Sequence, residues 1–403
     1  MEIVEEVVIV GAGIAGLATA VALKRVGIKA LILERWDGLR ATGAALGLFP
    51  NAWLALDALG VSHKLTSIYG PTKKGYVTNL GNGAVQEISY PETNGHNGGT
   101  RAVHRKALLK ALEEELPNNS IRFSCKITGI ETQSHEGSSI AVVDLEDGTS
   151  IKAKVLIGCD GVHSVVASWL GLASPVHSGR SAVRGLAAFP QGHGLVKQDV
   201  YQFVGAGLRA GFAPLTDKDI YWALDCASPA NGAYKGDPIA IQREVIENYA
   251  KDLPELYLDI VKHSDLSTLS WAPLVFRQPW NVAFGNLSNQ NVTVAGDAMH
   301  PMTPDLGQGG CLALEDAVVL GRHIGRCVLE NGELDSREIA RALADYAKER
   351  RSRAAWLITG SFFSGWVQHG GSLVLKFLRD SIFYKFVLHK LFNATNYDCG
   401  KLT

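Results

Sequence analysis

Four consecutive apolar residues, Val7 to Val10, give way at once to glycine. A run apolar at every position has no solvent face, so it predicts a strand covered on both sides, as in a parallel sheet. An apolar helical pattern follows and closes at Gly27, and a second apolar run occupies Ala30 to Leu33. The order strand, helix, strand predicts an α/β fold. Residues 72 to 100 and 180 to 285 differ, with short alternating runs such as YQFV and IYWALD set among Gly, Asn, Thr and Pro. Alternation with period two predicts half-buried strands, and these two stretches are expected to share one mainly antiparallel sheet. Between them a helix is expected near Lys106 to Glu115. A hairpin is expected from Ile140 to Leu145 and Ser150 to Ile157, turning on Asp147-Gly148. Beyond residue 286 the apolar strand NVTVAGD leads into a helix from Gly310 to Glu330, and the rest reads as helical and partly amphipathic.

The pattern divides the chain into an α/β domain made of residues 1–71, 101–179 and 286–365, and a sheet domain made of residues 72–100 and 180–285. Residues 366–403 form a C-terminal helical segment. A length of 403 residues exceeds what one core usually supports, in keeping with two packed domains. A hydrophobic content of 46% with 20% charged residues describes a globular protein. The net charge of −1 supplies no electrostatic reason to expect nucleic acid. Six scattered cysteines without a CxxC pair argue against a zinc knuckle and a disulfide framework, and point to a reducing compartment. The acidic start MEIVEE lacks the features of a signal or transit peptide, so a cytoplasmic location is expected if Met1 is the natural start. No uninterrupted apolar run is long enough for a spanning helix.

Three motifs carry the candidate chemistry. GAGIAG places Gly11, Gly13, Ala15 and Gly16 between the first strand and a helix. Glycines there allow a tight turn and close approach of a pyrophosphate to helix N–H groups. Glu34 ends the second strand, where a carboxylate can accept hydrogen bonds from a ribose. The motif therefore predicts dinucleotide binding without choosing between FAD and NAD. The second motif, IGCDGVHS, holds Asp160 and Gly161; the third, VTVAGDAMHPMTPDLGQGG, holds Gly296, Asp297, Gly307, Gly309 and Gly310. Each aspartate follows an apolar strand, a position where capping is common.

Taken in this order, the motifs resemble those of the para-hydroxybenzoate hydroxylase class of flavoprotein monooxygenases, and within it the plant members similar to zeaxanthin epoxidase and salicylate hydroxylase. The resemblance spans nearly the whole chain. It implies a Rossmann-like FAD-binding domain interleaved with a substrate domain, FAD as cofactor, and NAD(P)H as reductant. It implies hydroxylation or epoxidation of a small organic substrate by dioxygen through a flavin C4a-hydroperoxide. Glu34 and Arg35 would sit at the adenosine ribose, Arg105 at the diphosphate, and Asp297 at the ribityl chain. Asp160 and Gly161 would support the pyrophosphate region, and Pro304 would shape the turn beside the reactive ring. The helix opening at Gly309 and Gly310 would direct its positive end at the reduced flavin. The family often carries DGxxSxVR, and Ala167 stands where that arginine would be.

A second glycine cluster, GAGLRAG, precedes Phe-Ala-Pro and a strand-like run, so it reads as a hairpin and implies transient NAD(P)H binding at a shared site. No HExxH, GxSxG or Walker A pattern occurs, and no metal site is expected. His300 and Met302 flank Pro301, where either could border the substrate; a satisfied loop histidine is the equal alternative for His300. The substrate sheet offers Arg184, Gln202, Phe203, Arg209, Phe212 and Trp222, although aromatics at such spacing are more often core. Leu373 to Phe392 could rest on a membrane, but an amphipathic helix pair covering the α/β domain is preferred. The competing activities are a flavin oxidase or dehydrogenase, and a flavin-binding protein without turnover.

Overall fold

The computed structural model describes residues 4–40, 44–90, 99–135, 138–228, 237–332, 334–370 and 394–402. The apolar run at the start lies in strand Val4–Val10, which pairs in parallel with Ala30–Leu33 on one side and Ser150–Gly158 on the other. Val292–Val294 extends the parallel set beyond Ser150–Gly158, and Ile121–Arg122 extends it beyond Ala30–Leu33. Val7, Val8 and Ile9 are fully buried, as a strand with helices on both faces requires. Helix Ile14–Arg25 crosses between the first two strands and is buried from Ile14 to Leu23, because almost every residue in that span is small or apolar. The expected hairpin is present, with Gly148 at φ +82° in its turn, and antiparallel strand Ile127–His135 adds to it.

The two alternating stretches build one seven-stranded sheet. Its order is Ser270–Phe276, Val176–Ala188, Asp219–Ala227, Leu208–Pro214, Asp199–Gly205, Lys74–Asn79 and Val85–Ser89. The GAGLRAG cluster is the expected hairpin, pairing Asp199–Gly205 with Leu208–Pro214. The junction of the two stretches, Asp199–Gly205 with Lys74–Asn79, is parallel. No tight turn links those strands, so nothing forces the antiparallel sense there. A separate core beneath this sheet is built from Val183, Phe203, Trp222, Tyr257 and neighbours.

Two long helices complete the α/β part, Gly309–Asn331 and Ser336–His369. The second is fastened to the first through a buried ionic network. Arg350 donates from Nε to Asp316 Oδ1 at 2.7 Å and from Nη2 to Glu315 Oε2 at 2.6 Å, with all three side chains fully buried. Arg353 grips both oxygens of Glu315 at 2.6 Å, and Asn51 donates to the same carboxylate at 2.6 Å. The second oxygen of Asp316 accepts the Gly296 backbone N–H at 2.9 Å and faces His300 Nε2 at 2.5 Å. Burial alone would raise the Asp316 carboxyl; His300 and Arg350 outweigh it and hold it well below the usual carboxylate range.

No helix among the described residues is long and apolar enough to cross a membrane. Leu373 to Phe392, the candidate for membrane contact or for a covering helix pair, lies outside the described residues.

Removing one partner of a buried ion pair strands the other charge, at a cost of about 3–5 kcal/mol. Arg350→Met is therefore expected to lower the unfolding free energy by about that amount in chemical denaturation.

Candidate active site

The loops after the parallel strands meet the face of the second sheet and enclose a cavity of about 690 Å³. Its first wall is the glycine turn. Gly11 takes φ +99°, and its backbone N–H donates to Leu33 O at 2.8 Å. A Cβ on Gly16 would stand 1.9 Å from the Gly11 carbonyl oxygen, so this helix reaches the turn only without one. Glu34 binds the turn directly, accepting from Ala12 N at 2.7 Å and from Trp36 N at 3.1 Å. Gly13 and Ala15 line the cavity, whereas Gly11, Gly16 and Glu34 shape it from behind. Arg35 is exposed, with its guanidinium 5.3 Å from the Trp36 ring centre.

The second motif contributes backbone rather than charge. Asp160 accepts from Ser164 Oγ at 2.5 Å and from Val165 N at 2.7 Å, at the start of the short helix Val165–Trp169, whose N-cap is Ser164. Gly161 and Val162 form the cavity wall beside it. Ala167, at the position where the resemblance expects arginine, is buried in that helix.

The third motif brings its residues to one place. Gly296 takes φ +60°, and a Cβ there would meet the Ala15 Cβ at 2.7 Å. Asp297 is exposed and lines the cavity, as do Met302, Pro304, Gly307, Gly309 and Gly310. His300 is turned the other way: its side chain is fully buried against Asp316. It belongs to the ionic network, and the expectation that it borders a substrate is corrected.

The far wall is the seven-stranded sheet, with Arg184, Gln202 and Arg209 facing the cavity. Phe212 pairs across the sheet with Trp222 and turns its fully buried ring into the core with it, so the expectation that Phe212 touches substrate is corrected. Phe203 and Trp222 are not on that wall either. Phe203 packs in the sheet's own core, and Trp222 is fully buried there, donating to Ser264 Oγ at 2.9 Å. In strand Asp219–Ala227 the cavity side carries Tyr221, Ala223 and Asp225, and the core side carries Ile220, Trp222 and Leu224. Tyr221 and Asp225 were not singled out from sequence. The alternation in IYWALDC holds the signal, but it does not say which parity faces inward until the sheet is docked. Burial pushes the Tyr221 phenol up, so it meets the cavity as a neutral hydroxyl.

Electrostatics and shape together test the fit of a dinucleotide. Burial pulls the Arg105 guanidinium down, Asp297 opposes that, and Arg184 and Arg40 add to it. The side chain stays charged, as arginine does in proteins. Its Nε is buried without a hydrogen-bond partner among the described residues. A Cβ on Gly13 or Gly161 would meet nothing within 4 Å, so backbone on both walls is open to close approach. Clustered cations, an orphaned buried donor and open glycine backbone match the needs of a pyrophosphate.

A family model described as "FAD binding domain" matches residues 5–232 and 241–361. Monooxygenase 2 of Arabidopsis thaliana is 40% identical, covering 98% of each chain. The FAD-dependent urate hydroxylase of Klebsiella pneumoniae is 28% identical over 91% of each chain. The crystal structure of Klebsiella pneumoniae HpxO complexed with FAD and uric acid superposes with a TM-score of 0.81 at 24% identity. That superposition covers 99% of this chain and 98% of the other.

Two outcomes follow from these surroundings. Losing a charge-assisted hydrogen bond costs about 1.5–3 kcal/mol, so Arg105→Met is expected to weaken FAD about ten- to a hundredfold, measured by flavin fluorescence titration. His369, beside Arg180, is pushed down to about 4 from 6.5 by burial and by Arg209 and Arg180. Below 6.5 the unfolded chain takes up a proton that the folded one refuses. That stability is whole above this value and is lost progressively toward pH 4. His369→Gln should flatten the decline, read by denaturation at neutral pH and at about pH 5.

Proposed function

This chain belongs to the FAD binding domain family, and from that premise we propose that it is an NAD(P)H-consuming monooxygenase that hydroxylates or epoxidises a small aromatic or unsaturated metabolite. That it is an FAD-dependent monooxygenase follows from its relatives; the reductant and the substrate are the proposed part. The observation that carries the reading is one cavity that runs from Gly13 and Arg105, past Asp297 and the Pro304 turn, to Arg184 on the sheet.

Bound FAD supplies the electron storage and the oxygen activation. The chain supplies position and charge. Glu34 and Arg35 would hold the adenosine ribose, Arg105 the diphosphate, and Asp297 the ribityl hydroxyls. The backbone N–H groups opening helix Gly309–Asn331 would favour negative charge at the pyrimidine end. Pro304 and Met302 would close the space above the ring and keep water from it. On the sheet, Gln202 and the neutral Tyr221 would orient the substrate.

Arg184 narrows the substrate class. Arg209 is neutralised by Asp225 and Asp305, whereas Arg184 faces the cavity with no ion pair to a carboxylate among the described residues. It favours a substrate with an anionic or enolate oxygen. Urate, the substrate named for one relative, has that character, as does any hydroxybenzoate. No second nucleotide domain is needed for the reductant, since GAGLRAG is a hairpin of the sheet.

FAD-loaded protein is expected to oxidise NADH or NADPH faster with a matching ligand from a panel of urate and hydroxybenzoates. Its product should carry one oxygen atom from labelled dioxygen. An unlabelled product would identify an oxidase or dehydrogenase instead. Arg184→Met should raise KM for an anionic substrate about tenfold or more while leaving FAD content intact.

A further inference from the structure

Asp305 stands directly after Pro304, in the turn Pro304–Leu306 that borders the cavity. Its side chain is fully buried. Burial pushes its carboxyl up, but Arg180 and Arg209 outweigh that and keep it ionised. Arg180, from strand Val176–Ala188, grips both oxygens, Nη1 on Oδ1 at 2.9 Å and Nη2 on Oδ2 at 2.6 Å. Arg209 adds a longer contact of 3.3 Å to Oδ1 and reaches Asp225 at 3.3 Å. The end of helix Ser336–His369 closes the cluster, with His369 Nδ1 3.1 Å from Arg180 and Gln368 Oε1 accepting from Arg209 at 3.4 Å. Three distant pieces of chain thus converge on one carboxylate whose neighbour faces the cavity.

Gly365 fits the helix to this pair. A Cβ there would stand 2.2 Å from Arg180 Nη2 and 2.5 Å from Asp305 Oδ2. Any side chain must therefore displace the fork or the helix. Glycine is a poor helix residue, so its presence at the point of contact favours the pair over the helix's own stability. A planar fork on a carboxylate sets orientation as well as distance, which a point charge does not.

We propose that Arg180, Asp305 and Gly365 are a positioning unit through which the C-terminal helix fixes the Pro304 turn and, with it, the opening of helix Gly309–Asn331 at the isoalloxazine end of the FAD site. This rests on the cofactor reading above. The turn runs through Gly307 and Gln308 straight into that helix. Displacing the turn shifts the Gly309 and Gly310 N–H groups, whose positive end favours the charge of reduced flavin. The three residues act through the turn and touch no reacting atom.

The test is the two-electron midpoint potential of the FAD-loaded protein, equilibrated with a reference dye, which needs neither substrate nor NAD(P)H. Arg180→Met and Gly365→Ala are expected to lose tenfold in preference for reduced over oxidised flavin, a midpoint about 30 mV lower. Arg180→Lys, which keeps the charge without the fork, should shift it less and in the same direction. Variants that unfold at lower temperature with an unmoved potential would overturn the proposal. Full restoration by Arg180→Lys would overturn it too, since charge alone would then suffice. If Arg180→Met does not fold, Gly365→Ala decides the question. A wild-type chain that takes up no FAD would defeat the cofactor reading, and this inference with it.

Discussion

The ion pair between Arg350 and Asp316 is the constraint on which the rest of the architecture turns. Asp316 sits on the helix that opens at Gly309, yet its two oxygens serve two other elements: one takes Arg350 from the C-terminal helix, the other takes the Gly296 N–H and His300. A single desolvated carboxylate therefore sets the Gly296 turn, the loop behind it and the last long helix in one register. Glu315 does the same for Arg353 and Asn51. A buried charge without its partner is far costlier than either charge in water, so these pairs hold the elements in register. The geometry around Asp297 is inherited from this lattice of contacts rather than from Asp297 itself.

Much of this was legible in the sequence, for a physical reason. The strand, glycine turn and helix at the start, the hairpin at Gly148, and the long helix after the third motif are all local: their pattern and their glycines are contiguous. The joining of two distant stretches into one sheet was also readable from alternation, though the parallel sense of the joint was not, because no turn residue encodes it.

What stayed hidden depends on contacts between distant residues. Glu315, Asp316, Arg350 and Arg353 look in sequence like charges on solvated helix faces, and only the docking of two helices buries them. His300 read equally well as a substrate neighbour until Asp316 was seen behind it. Phe203, Phe212 and Trp222 are aromatic candidates from the alternation, but the pleat sends all three into the core, and the neighbouring Tyr221 turns to the cavity instead. Asp160, at a position that suits a cap or a ligand, binds Ser164 and the Val165 N–H while Ser164 itself caps the helix.

The parallel joint between Lys74–Asn79 and Asp199–Gly205 also bears on how the chain assembles during synthesis. About 120 residues separate the two strands, so the loop that their pairing closes is long and the contact is strongly non-local. Until the later strand leaves the ribosome, the earlier one keeps an open edge of unpaired N–H and C=O groups, the template on which nascent chains adhere to one another. The α/β half can gather its first strands sooner, leaving the sheet that carries Arg184 as the late and vulnerable half of folding.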